Sequence, residues 1–373
     1  MATNGPLWFH RGQSMPLRLL PSRITWSSLM MAIVPLGIGG AQNPLPNDPM
    51  EPIGEASAAI AGPLSGALLV TRDVPLLKKT YVDALGLVMR GPIAQTEQTI
   101  AVQRRLWGMP DGMSWQIYLL ERREVADAIR IIAIVPDRDT PVIRRSFQRE
   151  ETGPYALGFP MRDVDAIDQR MIALGFIRTL PNVNRYSLQL RDGTPYPITE
   201  ASYEVADNTR LVLLSRGNGL PQNGTLDIST GMGGPAYSSL IVEDSSSMEE
   251  FFTKVLDFER RTSREWTNFS PRFRYVTLHA LGARTGNIGL VEYAKDDRQP
   301  NSAVAPRPPN RGLAGWAFPV RSVALILQRA KALGTTVVCP PIEIDDPRFG
   351  RVIAASLLAP NGFLIEIFEP RQI

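Results

Sequence analysis

The sequence is poor in the side chains that most often bind transition metals. Its 373 residues include one cysteine, Cys339, and two histidines, His10 and His279. A single cysteine cannot form an intrachain disulfide or supply a cysteine-based metal site. Because Cys339 follows two valines in a strand-like run, we predict a buried, unreactive thiol.

A strong excess of one charge is also absent. The chain has 40 Lys and Arg against 37 Asp and Glu, which gives a net charge of +3. The charges are interspersed, with no basic block or basic-aromatic stripe, so we expect no nucleic-acid partner. The chain is 44% hydrophobic and 21% charged, as in globular proteins, and its length suits two domains.

The N-terminal region differs from the rest of the chain. Basic residues within 15–23 precede a mainly apolar run, 24–41, that ends in Gly-Gly-Ala. This pattern predicts a signal peptide at 1–41 and an exported protein, periplasmic or secreted, without a stable membrane span after leader removal. An N-terminal membrane anchor is the alternative, although Pro35 and several glycines weaken a span. The Pro/Ala-rich stretch 42–61 has no periodicity and predicts a linker.

A unit of strand, charged exit and amphipathic helix occurs four times. The stretches ALGFPMRDVDAIDQRMIALGF (156–176) and AGWAFPVRSVALILQRAKALGT (314–335) share a Phe-Pro-x-Arg exit and a helix that ends at Ala-Leu-Gly. Looser copies begin near residues 65 and 237. Strand-like segments follow each copy, so the repeat predicts an α+β fold built from tandem βαβββ modules.

We expect consecutive modules to pair into two domains, 62–218 and 233–371, joined by a glycine-rich loop. The strand–Asp–helix–Leu-Gly openings and the closing PNGFLIEIF (360–368) resemble the vicinal oxygen chelate superfamily. That superfamily includes glyoxalase I, bleomycin-resistance proteins and extradiol dioxygenases. Over residues 62–371 the resemblance implies four modules that form two domains, whose curved mixed sheets enclose a cavity, often with a metal.

The resemblance also implies where ligand-binding side chains would lie, on the first and last strands of each module. The first-strand positions are Gly66, Ala156, Tyr237 and Gly315. The predicted last-strand positions are Ala133, Val212, Glu292 and Glu366. The first domain then has a degenerate site without a metal donor, whereas the second has two carboxylates and a phenol.

Two carboxylates that face one apolar cavity repel each other and are poorly solvated, which raises a carboxyl pKa. One can then donate a proton while the other accepts it. We therefore predict a metal-independent lyase or isomerase that acts on a small oxygenated or aromatic molecule. In it Glu366 and Glu292 exchange protons and Tyr237 binds a developing oxyanion.

Further residues are predicted to bind the substrate: Ser239, Phe368 and His279. His279 ranks below the glutamates, because a hairpin that pairs Glu292 with Val276 places His279 on the opposite face. Alternatively, each glutamate pairs with an arginine and is structural, and Tyr237 is a core aromatic.

No cofactor is expected. The weaker alternative is a divalent ion such as Mg²⁺ or Ca²⁺ at Glu292 and Glu366. The alternative function is non-catalytic sequestration of a small molecule, as in the bleomycin-resistance branch. In either case the expected partner is a small-molecule substrate or ligand.

Overall fold

The computed structural model describes residues 59–370 except 124, 126, 136–138, 147–150, 190–194, 218, 220–221, 268–270, 284 and 299–303, and except the side chains of 188 and 189. The predicted signal peptide and all but the end of the predicted linker lie outside the described residues. Within the described part, no helix is long and apolar enough to cross a membrane.

Four modules follow one another along the chain. Module 1 comprises β1 (Gly66–Thr71), α1 (Val74–Lys78) with a π-helical continuation (Lys79–Ala84), β2 (Val88–Arg90), α2 (Glu97–Trp107), β3 (Ser114–Glu121) and β4 (Ala128–Val135). Module 2 comprises β5 (Gly153–Pro160), α3 (Val164–Ala173), β6 (Asn184–Gln189), β7 (Pro195–Glu204) and β8 (Arg210–Arg216), with a 3₁₀ turn at Ala206–Asn208.

The second half of the chain repeats the pattern. Module 3 comprises β9 (Tyr237–Ile241), α4 (Ser245–Leu256), β10 (Phe258–Trp266), β11 (Phe273–Ala280) and β12 (Asn287–Tyr293), with a 3₁₀ turn at Lys295–Asp297. Module 4 comprises β13 (Gly312–Pro319), α5 (Val323–Ala332), β14 (Val337–Asp346), β15 (Gly350–Leu358) and β16 (Leu364–Pro370).

The repeated exit residue begins the first helix of each module. The side chains of Asp73, Asp163, Asp244 and Ser322 accept hydrogen bonds from backbone N–H groups in the first turns of α1, α3, α4 and α5. Such caps satisfy amides that have no partner inside the helix. In every module the first and last strands pair in parallel. The predicted βαβββ module is therefore confirmed.

The modules pair differently from the predicted order. Sheet I joins modules 1 and 4 in the order β14-β15-β16-β13-β1-β4-β3-β2, and sheet II joins modules 3 and 2 in the order β10-β11-β12-β9-β5-β8-β7-β6. The expected pairing of consecutive modules, 1 with 2 and 3 with 4, is wrong. The repeat specifies the strands of each module, but contacts distant in sequence decide which two first strands meet.

One face of each sheet packs into a shared core with the helices. The core contains Phe252 of α4, Ile326 of α5 and Trp316 of β13, all fully buried. The Trp316 indole donates to Ser238 Oγ at 2.9 Å, which links the central strands of the two sheets. We call the opposite face of each sheet its inner face. Separate clusters of buried side chains lie on the two inner faces.

Helix α2 is absent from the predicted elements, although residues of the kinds that commonly begin and end helices flank it. Thr96 Oγ1 accepts from the Thr99 amide at 3.1 Å, and Gly108 ends the helix in the left-handed region at φ 62°. Leu106 and Trp107 of α2 pack in the inner-face cluster of sheet I, which also contains Cys339. The predicted burial of Cys339 is confirmed, and burial raises the pKa of its thiol.

Candidate functional site

The register of the parallel strand pairs shows which last-strand residues occupy equivalent positions. Ala317 pairs with Glu366 in module 4. The matching pairs are Leu68 with Arg130, Gly158 with Val212, and Ser239 with Gly289. The counterparts of Glu366 are therefore Arg130, Val212 and Gly289. The predicted positions Ala133 and Glu292 lie an odd number of residues beyond Arg130 and Gly289 on the same strands. Because side chains alternate along a strand, Ala133 and Glu292 point to the opposite face of the sheet.

Glu292 stabilises a helix and does not line a hollow. Its Oε2 accepts from the backbone N of Ser245 at 2.9 Å and from Ser245 Oγ at 2.6 Å, at the start of α4. Glu369 plays the same part in module 4, since its Oε2 accepts from Val323 N at 2.9 Å. A carboxylate in this position neutralises the positive end of the helix. The structure does not place Glu292 in the shared cavity that its predicted catalytic role requires, and that role stays a prediction.

Glu366 lies on the inner face of sheet I, buried and ion-paired. Both of its oxygens accept from Arg130 Nη1 at 2.9 Å, and Oε2 also accepts from Trp107 Nε1 at 3.0 Å. Arg130 Nη2 donates to Asp346 at 2.5 Å. Burial alone would lower the pKa of Arg130, but the two carboxylates outweigh it and raise that pKa. Glu366 interrupts the apolar alternation of its strand because it balances a buried arginine.

The two predicted catalytic glutamates therefore lie on different sheets and on different kinds of face. They cannot exchange protons on one substrate, and they cannot share a divalent ion. Phe368, a predicted substrate-binding residue, belongs to the inner face of sheet I, where its ring stacks on Phe349 at 4.7 Å between centroids. The structure places it apart from the other predicted binding residues.

The other predicted site residues do come together, on the inner face of sheet II. Tyr237 and Ser239 alternate along β9, and Thr277 lies beside Gly289, the partner of Ser239. His279, two residues beyond Thr277, points to the same side. Glu292 pairs with Arg274, two residues from the predicted partner Val276. A register shift by an even number of residues leaves each side chain on the same face of the sheet. His279 and Glu292 are therefore on opposite faces, as predicted, and His279 is the one on the inner face of sheet II.

Several buried polar atoms in this hollow have no hydrogen-bond partner among the described residues. They are Tyr237 Oη, Ser239 Oγ, His279 Nδ1 and Asn287 Oδ1. These four residues are each at most 6% exposed. These atoms are enclosed by the neighbouring side chains. For the part of the inner face formed by Tyr237, Ser239, Tyr275, His279 and Asn287 we use the name sheet II hollow.

Two glycines make room for tyrosine rings in the sheet II hollow. A Cβ atom at Gly158 would lie 1.8 Å from Tyr237 Cζ, and one at Gly289 would lie 2.8 Å from Tyr275 Oη. Real side chains do not approach this closely, so any larger residue would displace the rings. The absence of side chains at these two positions lets phenol rings cross the neighbouring strands.

A buried carboxylate lies beside these rings. Glu200 of β7 is 1% exposed and accepts from Tyr186 Oη at 3.0 Å. Burial, followed by the charge of Glu200, raises the pKa of Tyr186, Tyr237 and Tyr275 above the ordinary tyrosine value. All three phenols are therefore protonated near neutral pH and can donate hydrogen bonds.

The imidazole of the hollow is uncharged at neutral pH. Burial, together with the positive charges of Arg261 and Arg216, lowers the pKa of His279 to about 4, although the hydrogen bond with the Ala283 backbone acts in the opposite direction. The hollow thus presents neutral hydroxyl, amide and imidazole groups next to Glu200.

Sequence reasoning missed Glu200, although a signal was available. In β7 the inward positions read Tyr196, Ile198, Glu200, which is the same interruption of an apolar alternation that drew attention to Glu366. Tyr186 is on the edge strand β6, opposite Ile198. Only the sheet order brings these strands near β9.

The metal site that the family resemblance implies does not fit either inner face. On sheet I the equivalent positions are Gly66, Gly315, Arg130 and Glu366, so the one carboxylate faces an arginine. On sheet II they are Ala156, Tyr237, Val212 and Gly289, with a phenol as the only oxygen donor. No group of three or more His, Cys, Asp or Glu side chains suited to a metal occurs among the described residues.

Four βαβββ modules, each with its first and last strands paired in parallel, form two eight-stranded sheets. This is the arrangement of modules that the resemblance to the vicinal oxygen chelate superfamily implies. The chain is similar in structure to glyoxalase I from Zea mays, with a TM-score of 0.53, 13% identity, and coverage of 83% of this chain and 92% of that one. It is also similar to a "putative dioxygenase" from Bacillus subtilis, with a TM-score of 0.51, 13% identity, and coverage of 84% and 87%.

At this identity the likeness establishes the fold and leaves the activity to be argued from the site. No family model matches the sequence, and no curated protein matches it. The predicted family resemblance is confirmed at the level of the fold.

Proposed function

We propose that this protein binds a small oxygenated organic molecule in the sheet II hollow. The observation that carries the proposal is the set of four buried polar atoms without partners, contributed by Tyr237, Ser239, His279 and Asn287. A buried polar group left without a hydrogen bond destabilises the fold by about 1–3 kcal/mol. Four such atoms on one face are explained if they form hydrogen bonds with a ligand, or with water that the ligand displaces.

The side chains define the chemistry of the ligand. Tyr237 and Ser239 offer hydroxyl groups, and Asn287 Oδ1 accepts, so the ligand needs both an acceptor and a donor. The rings of Tyr237 and Tyr275 favour a flat or aromatic molecule. Glu200 disfavours an anion, while Arg216 and Arg261, which lower the pKa of His279, disfavour a cation. The preferred ligand is therefore neutral. These hydrogen-bonding groups, rings and charges are sufficient for a non-catalytic protein that binds a small molecule.

A second candidate is acid–base turnover of the bound molecule by a lyase or isomerase without a metal. Glu200 can accept a proton, and the neutral phenols of Tyr237 and Tyr275 can donate hydrogen bonds to an oxygen on which charge develops. The observation that favours this candidate is the buried carboxylate of Glu200, which accepts from Tyr186 Oη and lies near enough to Tyr237 and Tyr275 for its charge to act on both. If Glu200→Gln binds the ligand but no longer converts it, the protein is an enzyme. If the parent protein returns the ligand unchanged, the binding role stands alone.

The binding proposal is tested with a panel of small hydroxylated aromatic compounds, screened by thermal shift and measured by calorimetry. Tyr237→Phe and Ser239→Ala each remove one hydroxyl, and each should weaken binding about fivefold, the value of one hydrogen bond. Tyr81→Phe is the matched control, because Tyr81 Oη is also buried and without a partner among the described residues, but lies in the core. Equal losses in all three variants, or no loss in any, would contradict the proposal.

We also propose that residues 1–41 direct export. Fusion of residues 1–61 to a reporter enzyme should deliver the reporter outside the cytoplasm with cleavage after Ala41. A reporter that stays inside, or stays uncleaved in the membrane, would refute the signal peptide.

A further inference from the structure

A cavity of about 360 Å³ lies where the two halves of the molecule meet. One side comes from the connection before β5, with Ile143, Thr152 and Gly153. Another comes from the end of β9 and the first turn of α4. Val304, Pro306 and the turn Pro360–Asn361 complete the described wall. No residue of the sheet II hollow lines this cavity, so it is a separate space.

The size of the cavity suits a ligand. Pockets that bind small molecules usually have volumes of roughly 300–1,000 Å³. At about 30 Å³ per water molecule, the space would otherwise hold on the order of ten waters. Its walls include the buried side chains of Ile143, Ile241 and Met248. Part of the remaining wall is polar, so these three side chains offer one apolar patch against which an apolar part of a ligand can pack.

Two polar groups of the wall have hydrogen-bonding capacity left over. Thr152 is 6% exposed, and its Oγ1 has no partner among the described residues. Asn361 Nδ2 is likewise buried and without a partner in the described part of the chain, although its Oδ1 accepts from Phe363 N at 3.2 Å. Both groups can donate a hydrogen bond, and a carbonyl oxygen is the kind of acceptor that suits them.

The charge at the cavity selects against anions. Glu243 and Asp244 are the charged side chains among its described lining residues, and both are acidic. The first turn of α4 does not offset them. Its amides are already used, Ser246 N and Ser247 N by Asp244, and Ser245 N by Glu292. A carboxylate or phosphate would meet the carboxylate of Asp244 and no free amide in the first turn of α4.

We propose that this cavity is a second binding site, for an uncharged and mainly apolar molecule that carries one carbonyl-type acceptor. The acceptor takes hydrogen bonds from Thr152 Oγ1 and Asn361 Nδ2, and the apolar body packs against Ile143, Ile241 and Met248. The site does not depend on the function proposed for the sheet II hollow.

The experiment uses the full chain with methyl-labelled isoleucine and methionine, titrated with acetophenone and observed by NMR. Benzoate, of similar size but anionic, is the comparison ligand. Acetophenone should shift the methyl signals of Ile143 and Met248, whereas benzoate should bind at least tenfold more weakly. Ile143 and Met248 line the cavity, whereas the tyrosines that report on the sheet II hollow do not, so the two proposals can fail separately.

Two variants distinguish the contribution of the hydrogen bond from that of the cavity volume. Thr152→Val removes the hydroxyl at constant shape and should weaken acetophenone binding about fivefold. Thr140→Val is its control, since Thr140 Oγ1 is also buried without a described partner but lies outside the cavity wall. Val304→Phe fills the space from a half-buried position and should abolish binding. Acetophenone that leaves both methyl signals unmoved, benzoate that binds equally well, or unchanged affinity in Val304→Phe would each overturn the proposal.

Discussion

Replacing Glu366 with glutamine should destabilise the protein without removing a catalytic group. The exchange keeps the shape of the side chain and an acceptor for Trp107 Nε1, but it removes the charge that faces Arg130. Arg130 then has Asp346 as its remaining carboxylate partner. The side chains of Arg130, Asp346 and Glu366 are 13%, 8% and 4% exposed, so water cannot take over the lost interaction.

The size of the effect follows from this burial. Removing one partner of a buried ion pair destabilises a protein by about 3–5 kcal/mol, because the other charge stays buried. Asp346 still compensates Arg130 in part, so we expect the lower end, a loss of about 3 kcal/mol in the free energy of unfolding. Added salt should change the loss little, because buried pairs are screened much less than exposed ones.

Urea unfolding at pH 7, in low and high salt, measures the loss. Glu121→Gln is the matched control, because Glu121 pairs with Arg90 at 2.8 Å with side chains 29% and 51% exposed. An exposed pair of this kind contributes about 0–1 kcal/mol. If Glu366→Gln unfolded like the parent protein but lost ligand turnover, Glu366 would be functional and our interpretation of sheet I would be wrong.

Three further predictions concern other parts of the molecule. Glu292→Ala removes the carboxylate at the start of α4 and should lower the free energy of unfolding by about 1 kcal/mol, with ligand affinity unchanged; a loss of affinity would restore Glu292 to the site. Gly158→Ala places a methyl group in the Tyr237 ring and should cost about 2 kcal/mol and weaken ligand binding, whereas parent-like values would mean that the ring lies elsewhere. Burial raises the pKa of Asp127 to about 7, above its ordinary value, so the folded protein keeps a proton that the unfolded chain releases. The free energy of unfolding should therefore fall as the pH rises from about 4 to 7, by an amount on the order of 3 kcal/mol. Urea midpoints measured across this range should show no such fall in Asp127→Asn. If the variant kept the pH dependence of the parent protein, this prediction would be wrong.

The module could be predicted from sequence because its signals are local. Asp163 and Ser322 each precede a helix with apolar residues at three- and four-residue intervals, and both cap that helix in the structure. Capping and periodicity act within a few residues of each other, so one copy predicts its own helix. Four copies then predict the repeated unit.

Pairing of the modules could not be predicted in the same way. The first strands β1 and β13 meet although Leu68 and Gly315 are far apart in sequence. The same repeat is compatible with pairing of neighbouring modules, and no local signal distinguishes the two arrangements. This choice decided which side chains share a hollow, and it separated Glu366 from Tyr237.

Strand register caused the other error. The segments around Glu292 and Glu366 look alike, with a glutamate between apolar residues, and aligning the two glutamates places both inward. The parallel pairing instead matches Glu366 with Gly289, and Glu292 with Glu369, the two carboxylates at helix starts. Because side chains alternate, the error moved Glu292 to the wrong face.

Tyr237, Ser239 and His279 are predicted as site residues, and they lie together on the inner face of sheet II. Their neighbour Glu200 was not found, because it comes from a different module and approaches them only through the order of sheet II. A carboxylate at an inward position is visible in sequence. Its partners are not.

The central claim is that the sheet II hollow, and not a pair of glutamates, holds the ligand. It is tested most directly by ¹⁹F NMR of protein labelled with fluorotyrosine, titrated with the best compound of the hydroxylated aromatic panel. We predict that the signals of Tyr237 and Tyr275 move together and saturate at one ligand concentration, while the core signal of Tyr81 stays in place. A ligand that saturates the protein and leaves the Tyr237 and Tyr275 signals unmoved would contradict the account.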